Sequence, residues 1–421
     1  YHANEIGNVA VLGHSGCGKT SIVEAMAYRS GIINRTGSIS EGNTLSDYSE
    51  EEIKRQSSVN LAVIPVEWNN CKINLVDVPG IFDFVGECEA ALSVCESALI
   101  VVPSSAGISA GTKQAMFRAK DKAKIIYING LDNPSSDYAT KLQQLKDTYG
   151  KAIAPIQVPI TDNNNKMVGY VNVAKMEGRI FDGEQTKATD IPIELMEQVR
   201  PIKEMIDEAV ANTSDELLEK YINEEPFTKE EISWALRKGV MERTLIPVLC
   251  GTDQIGIQII LNSIVAFFSA AGDMTNSLIV KNIDTDEEEI IGYDESLPAS
   301  IFIFKTIADP FIGRTTLFKV VTGTLYSGSS LYNVKEKEVE RIAKLYQPRG
   351  KDLIEVDCLH AGDIGAVTKL SYSKTNDTLC IAGYQIIVPE IEFSTPYYGK
   401  AIVPLGKSNE EKIANAINKL L

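Results

Sequence analysis

The chain has 421 residues, of which 44% are hydrophobic and 23% are charged, and its formal net charge is −16. This length accommodates two or three domains, each with a hydrophobic core of ordinary size. The acidic balance argues against diffuse binding of DNA or another polyanion, although docking on an RNA-rich partner can use a local patch. The basic stretch 112-TKQAMFRAKDKAK-124 is interpreted as a solvated helix face.

The seven cysteines are scattered without a C-x-x-C pair, and the chain has three histidines. This usage argues against a disulfide framework or a structural zinc site and favours a reducing, cytoplasmic environment. No stretch approaches the ~18 consecutive apolar residues that a membrane-spanning helix requires. The N-terminal sequence YHANEIGNVAV has no basic segment followed by an apolar core, so no signal peptide is predicted.

Short apolar runs alternate with helical stretches up to about residue 280. The runs interpreted as strands are 8–13, 72–78, 97–104, 123–130 and 245–251. Runs that are apolar nearly throughout and separated by helices are typical of a parallel sheet covered on both faces. We therefore expect an α/β domain over residues 1–282.

This alternation is interrupted between about residues 158 and 240. The interruption contains a β-rich unit at 167–181, followed by helices. Two helices are predicted to begin at T-x-x-E capping boxes, which pair Thr213 with Glu216 and Thr228 with Glu231. Because the sheet pattern resumes afterwards, the interruption is interpreted as an inserted α+β subdomain.

An acidic segment, 284–289, is predicted to link this domain to a second one. Beyond it, apolar strands such as 299–305 and 315–321 alternate at short intervals with turn residues. This pattern is typical of a small antiparallel β-barrel, which we expect over residues 283–395.

The last segment, 396–421, is predicted to begin an α/β third domain. It contains a predicted strand at 400–405 and a helix capped by Ser408, with Glu411 three residues later. The apolar residues of that helix lie on one face, and no later element covers them. The sequence is therefore interpreted as the N-terminal part of a longer protein.

The segment 13-GHSGCGKT-20 directly follows a predicted strand and precedes a predicted helix. In this context G-x-x-x-x-G-K-[ST] predicts a phosphate-binding P-loop, whose glycines let backbone N–H groups approach phosphate oxygens. Lys19 is predicted to reach the β- and γ-phosphates, and the Thr20 hydroxyl to ligate Mg²⁺. The alternative is a glycine-rich turn that matches by chance. The predicted nucleotide-binding residues here are Gly13, His14, Ser15, Gly16, Cys17, Gly18, Lys19, Thr20 and Ser21.

The second element is 77-DVPG-80, at the end of a predicted strand. Asp77 is expected to hold Mg²⁺ through water, and the N–H of Gly80 to contact the γ-phosphate. Such an element is typical of a switch that the third phosphate orders, whereas considered alone it fits a plain turn equally well.

Two further elements indicate that the base is guanine. In 129-NGLD-132 a carboxylate can accept hydrogen bonds from N1–H and the 2-amino group of guanine, which adenine cannot supply. The alternative is a simple N-G turn. The segment 250-CGTD-253 suits a loop whose backbone N–H faces guanine O6. The predicted guanine-binding residues are Asn129, Gly130, Asp132, Gly251, Thr252 and Asp253.

These four elements resemble those of translation elongation factor G, and most closely its divergent elongation-factor-G-like branch. The resemblance covers essentially the whole chain, including 42-GNTLSDYSEEEIKRQSSV-59, 309-DPFIG-313, 361-AGDI-364 and 377-DTLC-380. It implies a GTP-binding domain with an insert, a translation-type β-barrel and the beginning of a third domain. It also implies GTP or GDP with Mg²⁺ as ligands and the ribosome as partner.

The resemblance assigns further roles and shows where this chain departs from the family. The family's Mg²⁺-ligating switch threonine aligns with Ser58, which keeps the hydroxyl. The histidine that positions the attacking water is replaced by Ile81, a P-loop aspartate by Gly16, and the lysine that packs on the base by Gly130. Loss of a water-orienting group typically costs on the order of 10²–10⁴ in rate. GTP binding is therefore expected to persist with hydrolysis slow or absent, and no catalytic residue is assigned.

Several functions remain open at this point. The first is a GTP-binding translation factor that acts in translocation or ribosome disassembly. The alternatives are ribosome protection, release-factor recycling, or a P-loop NTPase switch outside translation. We expect a cytoplasmic monomer with no membrane or DNA partner.

Overall fold

The structure is a computed structural model, and it describes residues 1–421 except 106, 184, 275–277, 310–312, 397, 407–408 and 421. Most of the motif 309–313 and the predicted cap Ser408 lie outside the described residues. The chain divides into two compact units, of which the first comprises 1–275 with 348–353 and the second comprises 276–347 with 354–421. The predicted domain limits at 282 and 395 stay predictions.

The first unit contains both strands and helices. Its strands are β1 (Ile6–Gly13), β2 (Ala62–Trp68), β3 (Cys71–Asp77), β4 (Ser97–Pro103), β5 (Ala123–Asn129), β6 (Ile153–Pro155), β7 (Gln157–Thr161), β8 (Met167–Asn172), β9 (Glu177–Phe181), β10 (Thr186–Thr189) and β11 (Ile246–Gly251). Its helices are α1 (Lys19–Arg29), α2 (Glu50–Arg55), α3 (Val85–Val94), α4 (Ala110–Arg118), α5 (Tyr138–Tyr149), α6 (Met196–Ala211), α7 (Asp215–Ile222), α8 (Lys229–Met241) and α9 (Ile257–Phe267).

The main sheet of the first unit has the strand order β2-β3-β1-β4-β5-β11-β6 among the described residues. All neighbouring pairs are parallel except β2 with β3. Helices α1, α3 and α4 contact β1, and α8 contacts β5 and β11. The predicted α/β fold with a parallel sheet is therefore confirmed.

Strand β2 was not among the predicted strands. It contains Pro65, which pairs with Asn74 of β3 in an antiparallel register. Proline has no N–H to donate and is tolerated on an edge strand such as this one. A proline within a short run lowers its resemblance to a strand, which is why the sequence pattern did not indicate β2.

The insert forms an antiparallel sheet in the order β10-β9-β8-β7, with helices α6, α7 and α8 following it in the chain. The predicted capping box of α8 is present, because Thr228 and Glu231 exchange hydrogen bonds of 3.1 and 2.8 Å. The other predicted box is wrong. Ser214 caps α7, and the Thr213 hydroxyl instead donates to the carbonyl of Val210.

The chain from residue 278 onwards, which includes residues 348–353 of the first unit, is rich in strands. They are β12 (Leu278–Asn282), β13 (Glu288–Ile291), β14 (Ser300–Asp309), β15 (Gly313–Thr322), β16 (Thr324–Tyr326), β17 (Ser330–Asn333), β18 (Glu338–Arg341), β19 (Leu345–Arg349), β20 (Asp352–Val356), β21 (Cys358–His360), β22 (Ile364–Thr368), β23 (Thr378–Cys380) and β24 (Ile386–Ile387). Helix α10 (Glu410–Leu420) follows them.

The largest sheet of the second unit has the order β18-β17-β23-β14-β15-β22-β19-β20, with antiparallel pairing between β14, β15 and β22. Its buried core includes Ile301, Ile303, Phe318 and Leu331. The predicted antiparallel β-barrel is confirmed. No helix within the described ranges is long and apolar enough to cross a membrane.

Two predictions for the second unit are wrong. The acidic segment 284–289 is not a plain linker, because its last residues begin β13, which pairs with β12 as a hairpin. No strand is present in the described residues 400–405. This run is exposed over most of its length, and a strand there has no neighbour in the described chain to share its backbone hydrogen bonds.

Candidate functional site

The P-loop connects the end of β1 to the start of α1. Gly18 precedes the helix with a φ of +93°, and a Cβ there would lie 2.3 Å from Nδ2 of Asn129. A Cβ on Gly13 would lie 2.4 Å from the carbonyl oxygen of Val101. Both positions therefore require glycine, because the neighbouring strands approach the loop too closely for a side chain.

Lys19 lies over the inside of this loop and is buried. Its Nζ donates hydrogen bonds to the carbonyl oxygens of Gly13 at 3.2 Å and His14 at 3.0 Å. Gly80 approaches the same ammonium group, since a Cβ there would lie 2.5 Å from Nζ and 2.6 Å from the N atom of Ser15. The structure thus brings together the P-loop lysine and the predicted γ-phosphate contact.

The three predicted Mg²⁺ ligands converge next to Lys19. The Thr20 hydroxyl donates to Oδ2 of Asp77 at 2.8 Å and lies 3.3 Å from the hydroxyl of Ser58. Oδ1 of Asp77 is buried and has no hydrogen-bond partner in the described part of the chain. Burial raises the pKa of Asp77, and the neighbouring Lys19 acts in the opposite direction. A carboxylate and two hydroxyls are hard oxygen donors of the kind that Mg²⁺ prefers, so the donor set fits that ion.

Asp47 is a candidate that the sequence analysis missed. Its side chain is 4% exposed, and neither carboxylate oxygen has a hydrogen-bond partner in the described residues. Burial raises the pKa of Asp47 to about 6, against the opposing effect of the nearby Ser58 hydroxyl, and the Asp77 carboxylate raises it further. No spacing rule singles out this residue within 42–59. An unpartnered buried carboxylate beside a predicted cation site is the signal, and only the structure shows it.

Ile81 begins the segment that follows the second motif. It lines a small cavity of about 40 Å³ together with Gly80, Phe82 and Cys88. The His14 ring lies 6.5 Å from the Phe82 ring, centroid to centroid. The imidazole also packs against α4, because a Cβ on Gly111 would lie 2.4 Å from its Nδ1.

Gly16, which stands where the resembling family has a P-loop aspartate, has open space around it. It adopts a φ of +77°, and among the described residues no atom lies within 4 Å of a Cβ built there. No group in that part of the chain therefore occupies the space that a side chain at this position would enter.

The predicted guanine elements meet at the ends of β5 and β11. Asn129 donates from Nδ2 to the carbonyl of Cys17 at 3.0 Å, which connects this element to the P-loop. The N–H of Gly130 donates to the carbonyl of Gly251 at 3.0 Å. Burial raises the pKa of Asp253, and the nearby Asp132 carboxylate adds to this effect. The two carboxylates lie in loops that follow the neighbouring parallel strands β5 and β11, at the same edge of the sheet.

The 251–253 loop is hydrogen-bonded to a buried tyrosine of strand β5. The single proton of the Tyr127 hydroxyl is shared between the carbonyl oxygens of Thr252 at 2.7 Å and Ile255 at 3.1 Å. The Thr252 side-chain oxygen accepts from the N–H groups of Gln254 and Ile255, which shapes the turn. The loop geometry is therefore set by buried contacts of the chain itself.

An open cavity of about 1070 Å³ lies beside α1. Ser21 and Asp253 line it together with residues 36–40 and Phe181 of the insert. Ser21 and Asp253 are the predicted nucleotide residues among its described lining residues. A separate cavity of about 270 Å³, lined by residues of the insert and α9, includes none of the predicted site residues.

Comparison with known proteins agrees with this arrangement. The family model "Elongation factor Tu GTP binding domain" matches residues 4–270, and the model "Elongation factor G domain 2" matches residues 298–382. A crystal structure of a protein from Thermus thermophilus is similar with a TM-score of 0.86 and 29% sequence identity, over 99% of this chain and 61% of that one. The present chain thus spans about three fifths of the length of that protein. The chain belongs to the elongation factor G family of GTP-binding translation factors.

Proposed function

We propose that the chain binds GTP and GDP together with Mg²⁺ at the P-loop. The observation that carries this proposal is the convergence of Thr20, Ser58 and Asp77 beside the ammonium group of Lys19. Lys19 and the loop N–H groups would hold the β- and γ-phosphates, and the three oxygen donors would hold the ion directly or through water. The bound ion would neutralise phosphate charge.

We further propose that guanine is selected at the ends of β5 and β11. Asp132 would accept hydrogen bonds from N1–H and the 2-amino group of guanine. Asn129 would hold the P-loop in place through its hydrogen bond to the carbonyl of Cys17. The bond from Asn129 to Cys17, and the position of Asp132 just after β5 at the edge of the sheet where β11 also ends, support this assignment. Gly130 offers no side chain to pack on the base, so we expect weaker affinity than a lysine at this position would give.

Hydrolysis of GTP by this chain is proposed to be slow or absent. An isoleucine side chain at position 81 has no group that can orient or polarise a water molecule, and Gly16 leaves the space beside the loop without a carboxylate. The effect of losing a positioned acid or base is about 10²–10⁴ in rate. No residue is assigned as catalytic.

On the ribosome, the factor is proposed to act in translocation or disassembly, with nucleotide ordering its switch elements. Membership of the elongation factor G family supports this role. Ribosome protection, release-factor recycling and a switch outside translation are the alternatives. We also propose a cytoplasmic monomer without membrane or DNA partners.

A single-turnover assay of phosphate release from [γ-³²P]GTP, on the full-length protein with and without ribosomes, tests these proposals. Nucleotide binding with little release supports a slow or non-hydrolysing factor. Release at the rate of an ordinary family member contradicts it. Sedimentation with ribosomes in a non-hydrolysable GTP analogue tests the partner, and failure to sediment favours the non-translational alternative.

A further inference from the structure

The segment that carries Ser58 is held by a carboxylate of the chain itself. Glu52 in α2 is 1% exposed. Its Oε1 accepts hydrogen bonds from the N–H groups of Val59 at 3.1 Å and Asn60 at 3.0 Å. Its Oε2 accepts from the N–H of Ser49 at 3.1 Å and from the Ser49 hydroxyl at 2.7 Å. One buried side chain thus joins the start of α2 to the residues just after Ser58.

Ser58 is fixed from the preceding side as well. The N–H of Ser57 donates to the backbone carbonyl of Glu52 at 3.2 Å. The residues on both sides of Ser58 therefore bond to the same residue, while the Ser58 hydroxyl lies 3.3 Å from that of Thr20. Hydrogen bonds to an ionised acceptor are stronger than those between neutral groups, so this arrangement restrains the position of the Ser58 oxygen.

A second carboxylate restrains the earlier part of the same segment. Glu24, in the helix that carries Thr20, is 3% exposed. Its Oε1 accepts from the N–H of Gly37 at 2.8 Å, and its Oε2 from the N–H of Leu45 at 3.0 Å. A Cβ on Gly37 would lie 2.4 Å from the backbone carbonyl oxygen of Asn43, so this position, next to the Glu24 carboxylate, requires glycine.

We propose that Glu52 is a positioning residue of the Mg²⁺ site and acts through Ser58, and that Glu24 supports the same segment from α1. The inference rests on the proposed function, in which Ser58 ligates Mg²⁺. Glu52 itself is not proposed as a ligand of the ion, because its carboxylate oxygens accept hydrogen bonds from Ser49, Val59 and Asn60. By holding the residues on both sides of Ser58, Glu52 lowers the entropy cost of ordering this segment around a γ-phosphate and its Mg²⁺. Because GDP has no γ-phosphate, the restraint favours the Mg²⁺ complex of GTP over that of GDP.

The test compares Glu52→Gln with Glu50→Gln in the intact protein. Glutamine keeps the size of the side chain, but its NH₂ group faces one set of N–H donors and leaves that set without an acceptor. Glu50 is an exposed residue of the same helix and serves as the matched control. The readouts are the Mg²⁺ concentration for half-maximal binding of a non-hydrolysable GTP analogue, the affinity for GDP, and amide hydrogen exchange over 57–61.

For Glu52→Gln we expect the Mg²⁺ requirement to rise roughly 10- to 100-fold, the usual effect of removing a group that orients a metal ligand. GDP affinity should stay unchanged, and exchange at Val59 and Asn60 should accelerate. In a Ser58→Ala background the same substitution should add no further increase. A folded Glu52→Gln protein with the wild-type Mg²⁺ requirement, or with its full effect in the Ser58→Ala background, overturns the proposal.

If Glu52→Gln does not fold, Glu52→Asp is measured instead, because it keeps the charge and only shortens its reach. A smaller rise in the Mg²⁺ requirement is then expected, and no rise overturns the inference.

Failure of the proposed function and failure of this inference give different results. If the wild-type protein binds no guanine nucleotide, the proposed function fails. If amide exchange at Val59 and Asn60 is unchanged in the variant, Glu52 does not hold the segment and the inference fails.

Discussion

The hydroxyl of Thr20 donates a 2.8 Å hydrogen bond to Asp77, which joins the first turn of α1 to the end of β3. Asp77 is buried, and its other oxygen has no partner among the described residues. Burial raises the pKa of this carboxyl group, so its ionised form depends on nearby positive charge. Lys19 provides part of that charge, and a Mg²⁺ ion would provide more. The residue pair therefore joins the helix that begins with the proposed phosphate-binding lysine to the proposed Mg²⁺ site.

Replacing Thr20 with alanine should raise the Mg²⁺ requirement for binding GTP. The hydroxyl is proposed as a direct ligand, so the effect should be about tenfold or more. Titration calorimetry with GTP at several Mg²⁺ concentrations measures it. Thr20→Ser keeps the hydroxyl and should behave nearly as wild type. Equal Mg²⁺ dependence of the alanine and serine variants would contradict the assignment.

Asp47→Asn should stabilise the protein without nucleotide and weaken its stabilisation by Mg²⁺ and GTP. The folded-state pKa of about 6 lies above the ordinary value of 3.8. The unfolded chain therefore loses its proton first, and this carboxyl group lowers the free energy of unfolding as pH rises from about 4 to about 6. The loss is at most about 3 kcal/mol at neutral pH.

Chemical denaturation between pH 4 and 7, with and without Mg²⁺ and GTP, checks this prediction. The asparagine variant should lack the decrease attributed to Asp47 and should gain less from the ligands. Asp83→Asn, which changes an exposed carboxylate of the first unit, is the control. If the free energy of unfolding of the Asp47 variant depends on pH as that of the wild type does, ionisation of Asp47 does not destabilise the folded protein.

Ile81→His should accelerate GTP hydrolysis on the ribosome. An imidazole can orient and polarise the attacking water, and its contribution in general is on the order of 10²–10⁴ in rate. Gly16 still lacks a carboxylate, so we expect the lower end of that range. Single-turnover phosphate release is the measurement, with Ile81→Leu as the control for side-chain size. No acceleration over the leucine variant would show that position 81 does not limit the rate.

Asp132→Asn should shift base selectivity from guanine towards xanthine. The carboxylate is proposed to accept two hydrogen bonds from guanine, and bonds to charged groups contribute roughly 1.5–3 kcal/mol each. GTP affinity should therefore fall about 100-fold or more. XTP, whose 2-oxo group can accept from the new amide, should gain affinity. Competition binding with GTP, XTP and ATP tests this, and retention of wild-type GTP affinity would rule out a base contact for Asp132.

Lys124→Met should destabilise the first unit by about 1–3 kcal/mol. The buried ammonium group donates to the carbonyl oxygens of Ala119 at 2.8 Å, Lys120 at 3.2 Å and Lys122 at 2.8 Å, just beyond the end of α4. Methionine fills a similar volume but leaves these oxygens without this donor. Urea denaturation measures the change. Lys113→Met, at an exposed position of α4, should have little effect.

Much of this site follows from local sequence. The P-loop and the motifs at Asp77 and Asn129 were placed correctly at the carboxyl ends of β1, β3 and β5, because long apolar runs with flanking glycines specify buried parallel strands. The local sequence pattern predicted the start of a helix less well, because two adjacent residues can each cap it. Thr213 and Ser214 are both competent helix caps, and the chain uses Ser214 because the Thr213 hydroxyl bonds back to Val210.

By itself, the sequence determined that this protein is an elongation factor G-type chain with a nucleotide loop and without the switch histidine. Only the tertiary structure decided which polar groups are buried around that loop. Asp47 and Glu52 look like ordinary acidic residues of a charged segment, yet both are buried beside the predicted Mg²⁺ ligands. Burial arises from contacts between distant parts of the chain, so a local pattern cannot report it. Because burial sets the energy of a charge and the strength of its hydrogen bonds, it also decides what those carboxylates do.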